Sequence, residues 1–248
     1  MDTSYDSDAA PTATSSGAYG MSAYHPEVLR MCAGPWSDAI ATLAHYQEAQ
    51  TFRQHLELAF VYCSDLARTA QRRRQLAPVF VSWPFHRVLE QSRLWAKMCA
   101  DLAGTHGADW KEKPLSYAPM VAQPLQVQGV EVVPIKSPVA LLEASTSVSQ
   151  ALTIYAADCT SGVKSVFVVT SIGNWEPTSV FVMERQSIDG CAHLLEHIGA
   201  GGQEPPARDI SVFAHWVKAN RNRLLSQEML ALLEQRGGPS SRTITVAI

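Results

Sequence analysis

The stretch K-S-V-F-V-V-T-S, residues 164–171, and the stretch T-S-V-F-V-M-E-R, residues 178–185, decide the fold of this chain. Both are rich in the β-branched and aromatic residues that favour strands. The linking residues I-G-N-W-E-P, 172–177, contain the Gly, Asn and Pro that are typical of turns. The two stretches therefore predict an antiparallel β-hairpin.

The residues around this hairpin alternate between strand and helix patterns. V-E-V-V-P-I, residues 130–135, predicts a short strand. S-P-V-A-L-L-E-A, residues 137–144, predicts a helix that opens on a serine with proline in its first position. V-S-Q-A-L-T-I-Y-A-A-D-C, residues 148–159, and residues 209–235 indicate further helix. We therefore expect the C-terminal half to be α+β.

The N-terminal half is predicted to be helical. Apolar residues recur at three- and four-residue steps after residue 36, from 52 to 67 and from 88 to 102. We expect an α+β protein, in which a helical module precedes a small α+β domain with an antiparallel hairpin or sheet. The predicted boundaries are a disordered tail at 1–24, the helical module at 25–104, a linker at 105–129, the α+β domain at 130–235 and a C-terminal tail at 236–248.

The composition excludes several classes of protein. The 248 residues are 46% hydrophobic and carry a net charge of −3, so neither nucleic acid nor an anionic membrane would be attracted by the charge of the whole chain. The N-terminus lacks the basic and apolar segments of a secretory signal, and no apolar run approaches the roughly 18 residues that span a bilayer. We expect a soluble cytoplasmic protein without a membrane partner.

Signatures of the common enzyme classes are missing from the sequence. The five cysteines form no C-x-x-C pair, which argues against a disulfide framework or a zinc ribbon and favours buried free thiols. There is no G-x-x-x-x-G-K-[ST], no G-x-G-x-x-G after a strand and no G-x-S-x-G. ATPase, dinucleotide-binding and serine-hydrolase functions are therefore unsupported, and no catalytic residue or cofactor is predicted.

Several short motifs follow one another between residue 130 and about residue 225. They are V-V-P-I-K-S, L-L-E-A, Q-A-L-T-I-Y from Gln150 to Tyr155, C-T-S-G ending at Gly162, the two strands, E-H-I-G from Glu196 to Gly199, and then Gly202, Gln203, Glu204, Pro205 and Pro206. This order resembles the PcfJ-like family of conjugative plasmids and related mobile elements. That family's pattern has a strand, L-x-x-E-G, His-Cys-Val with a later Tyr, Ser-Gly before two strands, and then Gln, Gly, Asn and Pro before a closing helix.

The chain departs from this family pattern at its chemically reactive positions. Gln150 and Ala151 stand in place of the His-Cys pair, and Gly202 stands where the asparagine is expected. A cysteine beside a histidine can be an activated nucleophile, and the loss of both would remove that chemistry. The resemblance therefore implies a degenerate, non-catalytic member that belongs to a plasmid, phage or other mobile element.

The segment H-L-L-E-H, residues 193–197, allows an alternative function. On a helix, His193 and His197 would share a face and could bind one zinc ion, with Glu196 as general base and a third ligand from elsewhere. That arrangement would make the protein a zinc-dependent hydrolase. On a strand, the two histidines would also share a face but would have no obligation to bind metal.

A run of arginines at the end of the longest predicted helix provides another candidate site. Arg68, Arg72, Arg73 and Arg74 could neutralise the phosphates of nucleic acid, although cations at a helix C-terminus also complement its dipole. We therefore predict a non-enzymatic binding or regulatory accessory protein that acts through contacts with protein or nucleic acid. The sequence leaves the oligomeric state open.

Overall fold

The computed structural model describes residues 24–72, 77–127, 129–173, 176–187 and 190–226. Residues 1–23 of the predicted N-terminal tail, Arg73, Arg74 and the predicted C-terminal tail lie outside these ranges. The chain divides into two compact units, Met1–Phe85 and His86–Ile248. This division precedes the fourth helix, whereas the composition suggests a boundary within 105–129.

The first unit is helical. It contains α1 (Pro26–Ala33), α2 (Ser37–Tyr46), α3 (Ala49–Arg72) and a 3₁₀ turn at Val79–Ser82. Trp36 lies at its centre with only 1% of its surface exposed, and its indole N–H donates to the Trp83 carbonyl at 2.9 Å. The rings of Phe80 and Phe85 pack on Trp36 at centroid distances of 5.8 and 5.5 Å. One buried aromatic cluster therefore joins the ends of this unit.

The second unit is built on a five-stranded antiparallel sheet. Its strands are β1 (Leu125–Val127), β2 (Val130–Pro134), β3 (Lys164–Ser171), β4 (Pro177–Arg185) and β5 (Ala192–Gly199), and they are neighbours in chain order. The predicted hairpin is β3–β4, and the predicted α+β class is confirmed. β1 falls within the predicted linker, because three residues are too short to show a strand pattern.

Helices cover both faces of this sheet. The remaining described helices are α4 (Phe85–His106), α5 (Pro138–Val148), α6 (Ala156–Ser161), α7 (Ala207–Ala219) and α8 (Arg221–Leu224), with 3₁₀ turns at Leu152–Tyr155 and Ala200–Gly202, and those that pack on the sheet are α5, α6 and α7. α5 and α6 pack on β4 and β3, and α7 covers the opposite face. Because both faces are covered, the centres of β3 and β4 are continuously buried, as in a sheet between two helical layers.

The α7 face of the sheet has an aromatic core. Phe167 of β3 and Phe181 of β4 stack at 5.0 Å, and Trp216 of α7 lies 4.6 Å from Phe167 and 5.0 Å from Phe181 between ring centroids. Phe213 joins them at 4.9 Å from Phe181. Rings of this size dominate the energy of a small core, so they fix the position of α7 on the sheet.

The helix boundaries follow local chemistry. Ser137 accepts a hydrogen bond from the Ala140 amide at 3.2 Å, and Pro138 occupies the first turn, so α5 begins where the sequence predicts. No helix within the described ranges combines the length and the apolar character that crossing a bilayer requires.

Candidate functional site

The H-L-L-E-H segment lies in the edge strand β5, so it does not form the helix that the zinc interpretation requires. A β-bulge interrupts its pairing with β4: Val182 pairs with Glu196, Met183 pairs with Leu194, and Leu195 has no partner in this ladder. One extra residue reverses the alternation of side chains. His193 and His197 consequently lie on opposite faces of the sheet, and the prediction that a strand would place them on one face is wrong.

On the α7 face, His197 belongs to a buried polar network. Its Nε2 lies 3.1 Å from Ser179 Oγ, which lies 2.8 Å from Asp209 Oδ2, and Thr178 donates to the same Asp209 oxygen at 2.6 Å. Ser179 and Asp209 have no exposed surface. Burial lowers the pKa of His197, and the nearby Asp209 partly opposes this change.

The proton positions in this network follow from its acceptors. Asp209 as a carboxylate can only accept, so the single proton of Ser179 is directed to Asp209. Ser179 Oγ must then accept from Nε2–H of His197, which assigns the imidazole tautomer. A serine nucleophile needs a base that removes its proton, whereas here the serine bridges the histidine and the carboxylate. The arrangement anchors the N-terminus of α7 to β4 and β5 rather than activating Ser179.

On the opposite face, Glu196 belongs to a charged and partly exposed network. Tyr155 donates its hydroxyl to Glu196 at 2.6 Å, and burial together with Glu196 raises the pKa of Tyr155. The ammonium of Lys164 lies 2.7 Å from Asp158, 3.4 Å from Glu184 and 4.6 Å from the centre of the Tyr155 ring. Its hydrogen bond to Asp158 is the main reason that the pKa of Lys164 is raised. Two carboxylates therefore contact this lysine, and a third, Glu196, accepts from the neighbouring Tyr155.

His193 lies on this second face, away from His197. Its side chain is exposed, and the residue pairs across the strands with Glu184. Within the described ranges, no group of three or more His, Cys, Asp and Glu side chains could hold a metal ion. The alternative zinc-site residues are thus divided between the two faces of the sheet, with His193 and Glu196 on one and His197 on the other.

The positions that carry the family resemblance meet at one end of the sheet. A Cβ built on Gly202 would lie 3.5 Å from Gln150 Nε2 and 3.4 Å from the Val148 carbonyl. A Cβ built on Gly199 would lie only 2.5 Å from the Glu204 carbonyl oxygen, so only glycine fits at that position. Gln150 and Gly202, 52 positions apart in the chain, are therefore neighbours.

Burial shifts the pKa of three cysteines, of which Cys63 and Cys159 are buried and Cys32 is partly buried. Burial raises the pKa of Cys32 to about 11 and that of Cys159 to about 12, and it also raises the pKa of Cys63. The thiolate is the nucleophilic form, so these three thiols are poor nucleophiles at neutral pH.

The predicted arginine site is only partly described. Arg68 and Arg72 are exposed and one turn apart on α3, and Arg72 donates to the Thr69 hydroxyl at 3.0 Å. Arg73 and Arg74 fall outside the described residues. The structure brings Arg68 and Arg72 to one helix face, as the four-residue spacing predicts.

Sequence reasoning missed the network of Ser179 and Asp209. A signal for it was available, because Ser179 and Phe181 are two residues apart on β4 and therefore face the same side of the sheet. Nothing in the local sequence links Ser179 to Asp209, which is the third residue of α7.

The comparisons with known proteins give no relative for this chain. No protein family, no curated protein and no solved structure matches it.

Proposed function

We propose that this chain is a non-enzymatic binding or regulatory accessory protein of a plasmid, phage or other mobile element, which acts in the cytoplasm through contacts with protein or nucleic acid. The observation that carries the proposal is the meeting of Gln150 with Gly202. The family that the sequence resembles has histidine and asparagine at these two positions, and their closeness in space supports the resemblance.

The groups that meet there cannot perform acid–base or nucleophilic chemistry. An amide at Gln150, a methyl group at Ala151 and a hydrogen at Gly202 have no titratable proton and no nucleophilic atom. Tyr155, the tyrosine of the resemblance, donates its hydroxyl to Glu196 and has a raised pKa. The absence of reactive atoms at Gln150, Ala151 and Gly202 supports binding over turnover.

Cysteine alkylation tests the non-enzymatic part of this proposal. We expect no cysteine of the native chain to react with iodoacetamide faster than free cysteine at pH 7, because burial stabilises the neutral thiols. Mass spectrometry of the digested protein measures the rate at each site. The control is the chain in guanidinium chloride, in which all five cysteines should react. One thiol that reacts faster than free cysteine would indicate an activated nucleophile and overturn the proposal.

Metal content tests the alternative of a zinc-dependent hydrolase. We expect zinc far below one ion per chain in the wild type and in His193→Ala, because the bulge separates His193 from His197. Elemental mass spectrometry of both purified proteins provides the measurement. Zinc near one ion per chain that disappears in the variant would establish the alternative.

The nucleic-acid contact at Arg68, Arg72, Arg73 and Arg74 remains part of the proposal. Exposed arginines one turn apart can bind neighbouring phosphates. Their replacement should lower the affinity for nucleic acid and reduce the dependence of that affinity on salt concentration. The variant Arg68→Gln/Arg72→Gln tests the two described members of this set.

A further inference from the structure

The outward face of α7 is exposed along its whole length. Its inward residues Val212, Phe213 and Trp216 are buried in the aromatic core. The opposite residues are exposed, and they are Ala207, Arg208, Ile210, Ser211, Ala214, His215, Lys218 and Ala219. Because the inward residues are fixed in the core, the outward face is presented in one orientation.

All exposed charges of α7 and α8 are positive. They are Arg208, Lys218, Arg221 and Arg223, and the one carboxylate of these helices, Asp209, has no exposed surface. Among the described residues, Lys218, Arg221 and Arg223 form no ion pair, whereas Lys113 and Lys164 are each paired with carboxylates. A chain of net charge −3 therefore has a local basic surface here.

The spacing of these charges suits an extended anion. Arg208 lies in the first turn of α7 and Lys218 in the last, about 15 Å apart along the axis at 1.5 Å per residue. Between them the exposed residues are Ile210, Ser211, Ala214 and His215. The major groove of B-DNA is about 12 Å wide and admits an α-helix. Cations at both ends, with the small residues Ser211 and Ala214 between them, suit the approach of this face to such a groove.

Dipole complementarity does not account for the whole pattern. Cations near a helix C-terminus stabilise the helix, which is sufficient reason for Lys218 and Arg221. The same effect disfavours a cation in the first turn, where Arg208 lies with its side chain 45% exposed. Arg208 contacts Asp209 and Ser171 at 3.4 Å, so it is held beside the basic face.

We propose that the outward face of α7 binds duplex DNA, with Arg208, Lys218 and Arg221 contacting phosphates on the two sides of the major groove. This inference rests on the proposed binding function and specifies its partner. Phe213 and Trp216 are buried, so the described part of α7 offers no aromatic platform for stacking unpaired bases, which favours a duplex over a single strand.

Fluorescence anisotropy of the full chain with a labelled duplex tests the inference. Three phosphate contacts predict a salt slope of about −2.7, so affinity should fall on the order of 40-fold between about 50 and about 200 mM salt. Lys218→Gln/Arg221→Gln should reduce the slope to about −0.9. The matched control is Arg93→Gln/Lys97→Gln, which removes the same charge from exposed positions of α4 and should leave the slope unchanged. Far-UV circular dichroism verifies that each variant is folded.

Every other result of this experiment overturns the inference. Equal losses in both double variants would mean that binding follows total charge rather than a site. A loss confined to Arg68→Gln/Arg72→Gln, measured as a third variant, would place the DNA contact on α3 and would leave the proposed function intact. Displacement of the duplex by polyglutamate at equal charge would indicate an acidic protein partner. Absence of duplex binding would exclude this partner, while the alkylation and metal measurements would still decide the proposed function.

Discussion

The two faces of β5 lie in different environments, one buried and the other partly exposed to water. His197 on the α7 face joins Ser179 and Asp209, which are fully buried and connected by hydrogen bonds. Glu196 on the other face joins Tyr155 near a lysine and further carboxylates that water reaches in part. Buried polar contacts are costly to break, whereas exposed ion pairs contribute little. The buried network on the α7 face should therefore contribute more to the free energy of unfolding than the partly exposed network on the other face.

The largest expected effect concerns Gly199, the last residue of β5. Gly199→Ala should destabilise the fold by about 3 kcal/mol, because its Cβ would lie 2.5 Å from the Glu204 carbonyl oxygen and the backbone must shift. Urea unfolding followed by tryptophan fluorescence measures the change. Gly104→Ala in α4 is the control: its Cβ meets nothing within 4 Å, and the variant should gain up to about 1 kcal/mol. Similar stability of both variants would contradict the close approach at Gly199.

The next effect distinguishes the buried face. Asp209→Ala should cost about 2 to 3 kcal/mol, because it removes the acceptor of the Thr178 and Ser179 hydroxyls inside the protein. Denaturant unfolding again provides the measurement. Asp209→Asn keeps the shape and one acceptor oxygen, so it should cost less. If Asp209→Ala costs no more than an average surface substitution, then the network is not what anchors α7.

The partly exposed face should respond more weakly. Tyr155→Phe removes the hydroxyl that donates to Glu196 and should cost about 1 kcal/mol. A double-mutant cycle with Glu196→Gln isolates the coupling between the two side chains. A coupling as large as the effect of Asp209→Ala would remove the distinction between the faces.

The smallest effect is a pH dependence that only the α7 face should show. The pKa of His197 is lowered in the folded chain, so the unfolded chain binds its proton first as pH falls below about 6.5. The associated stability is fully present above pH 6.5 and is lost as pH falls from there through the folded pKa. Thermal unfolding of the wild type between pH 8 and pH 5 should show this loss, and His197→Gln should reduce it.

His193→Gln is the matched control for this pH dependence. His193 is exposed on the other face of β5, and the slope of stability against pH should remain that of the wild type. A reduction in both variants would assign the effect to the strand as a whole rather than to the buried network.

The elements with strong local patterns could be predicted from the sequence. The β3–β4 hairpin follows from its valines and phenylalanines, and α5 follows from Ser137 and Pro138. β1 could not be predicted, because its three residues pair with β2 only through tertiary contact. Short strands depend on their neighbours more than on their own propensity.

The candidate site was less predictable than the fold. The spacing of His193 and His197 in the sequence suggests that they lie on the same face, but the β-bulge that puts them on opposite faces depends on the register with β4. Ser179 and Asp209 are 30 positions apart and meet only because α7 packs across the sheet. Hydrogen bonds between distant elements leave no periodic signal in the sequence.

Leu195, which has no partner in the β4–β5 ladder, separates two parts of β5 in which the alternation of side chains is opposite. A deletion of this one residue would restore regular alternation and exchange the surroundings of every side chain on one side of it. Either His193 would then face the aromatic core or His197 would leave it, although both residues would still be histidines. A single codon gained or lost at this point is therefore enough to move titratable side chains from one face of the sheet to the other. A comparison of residue types alone would not reveal this change of face.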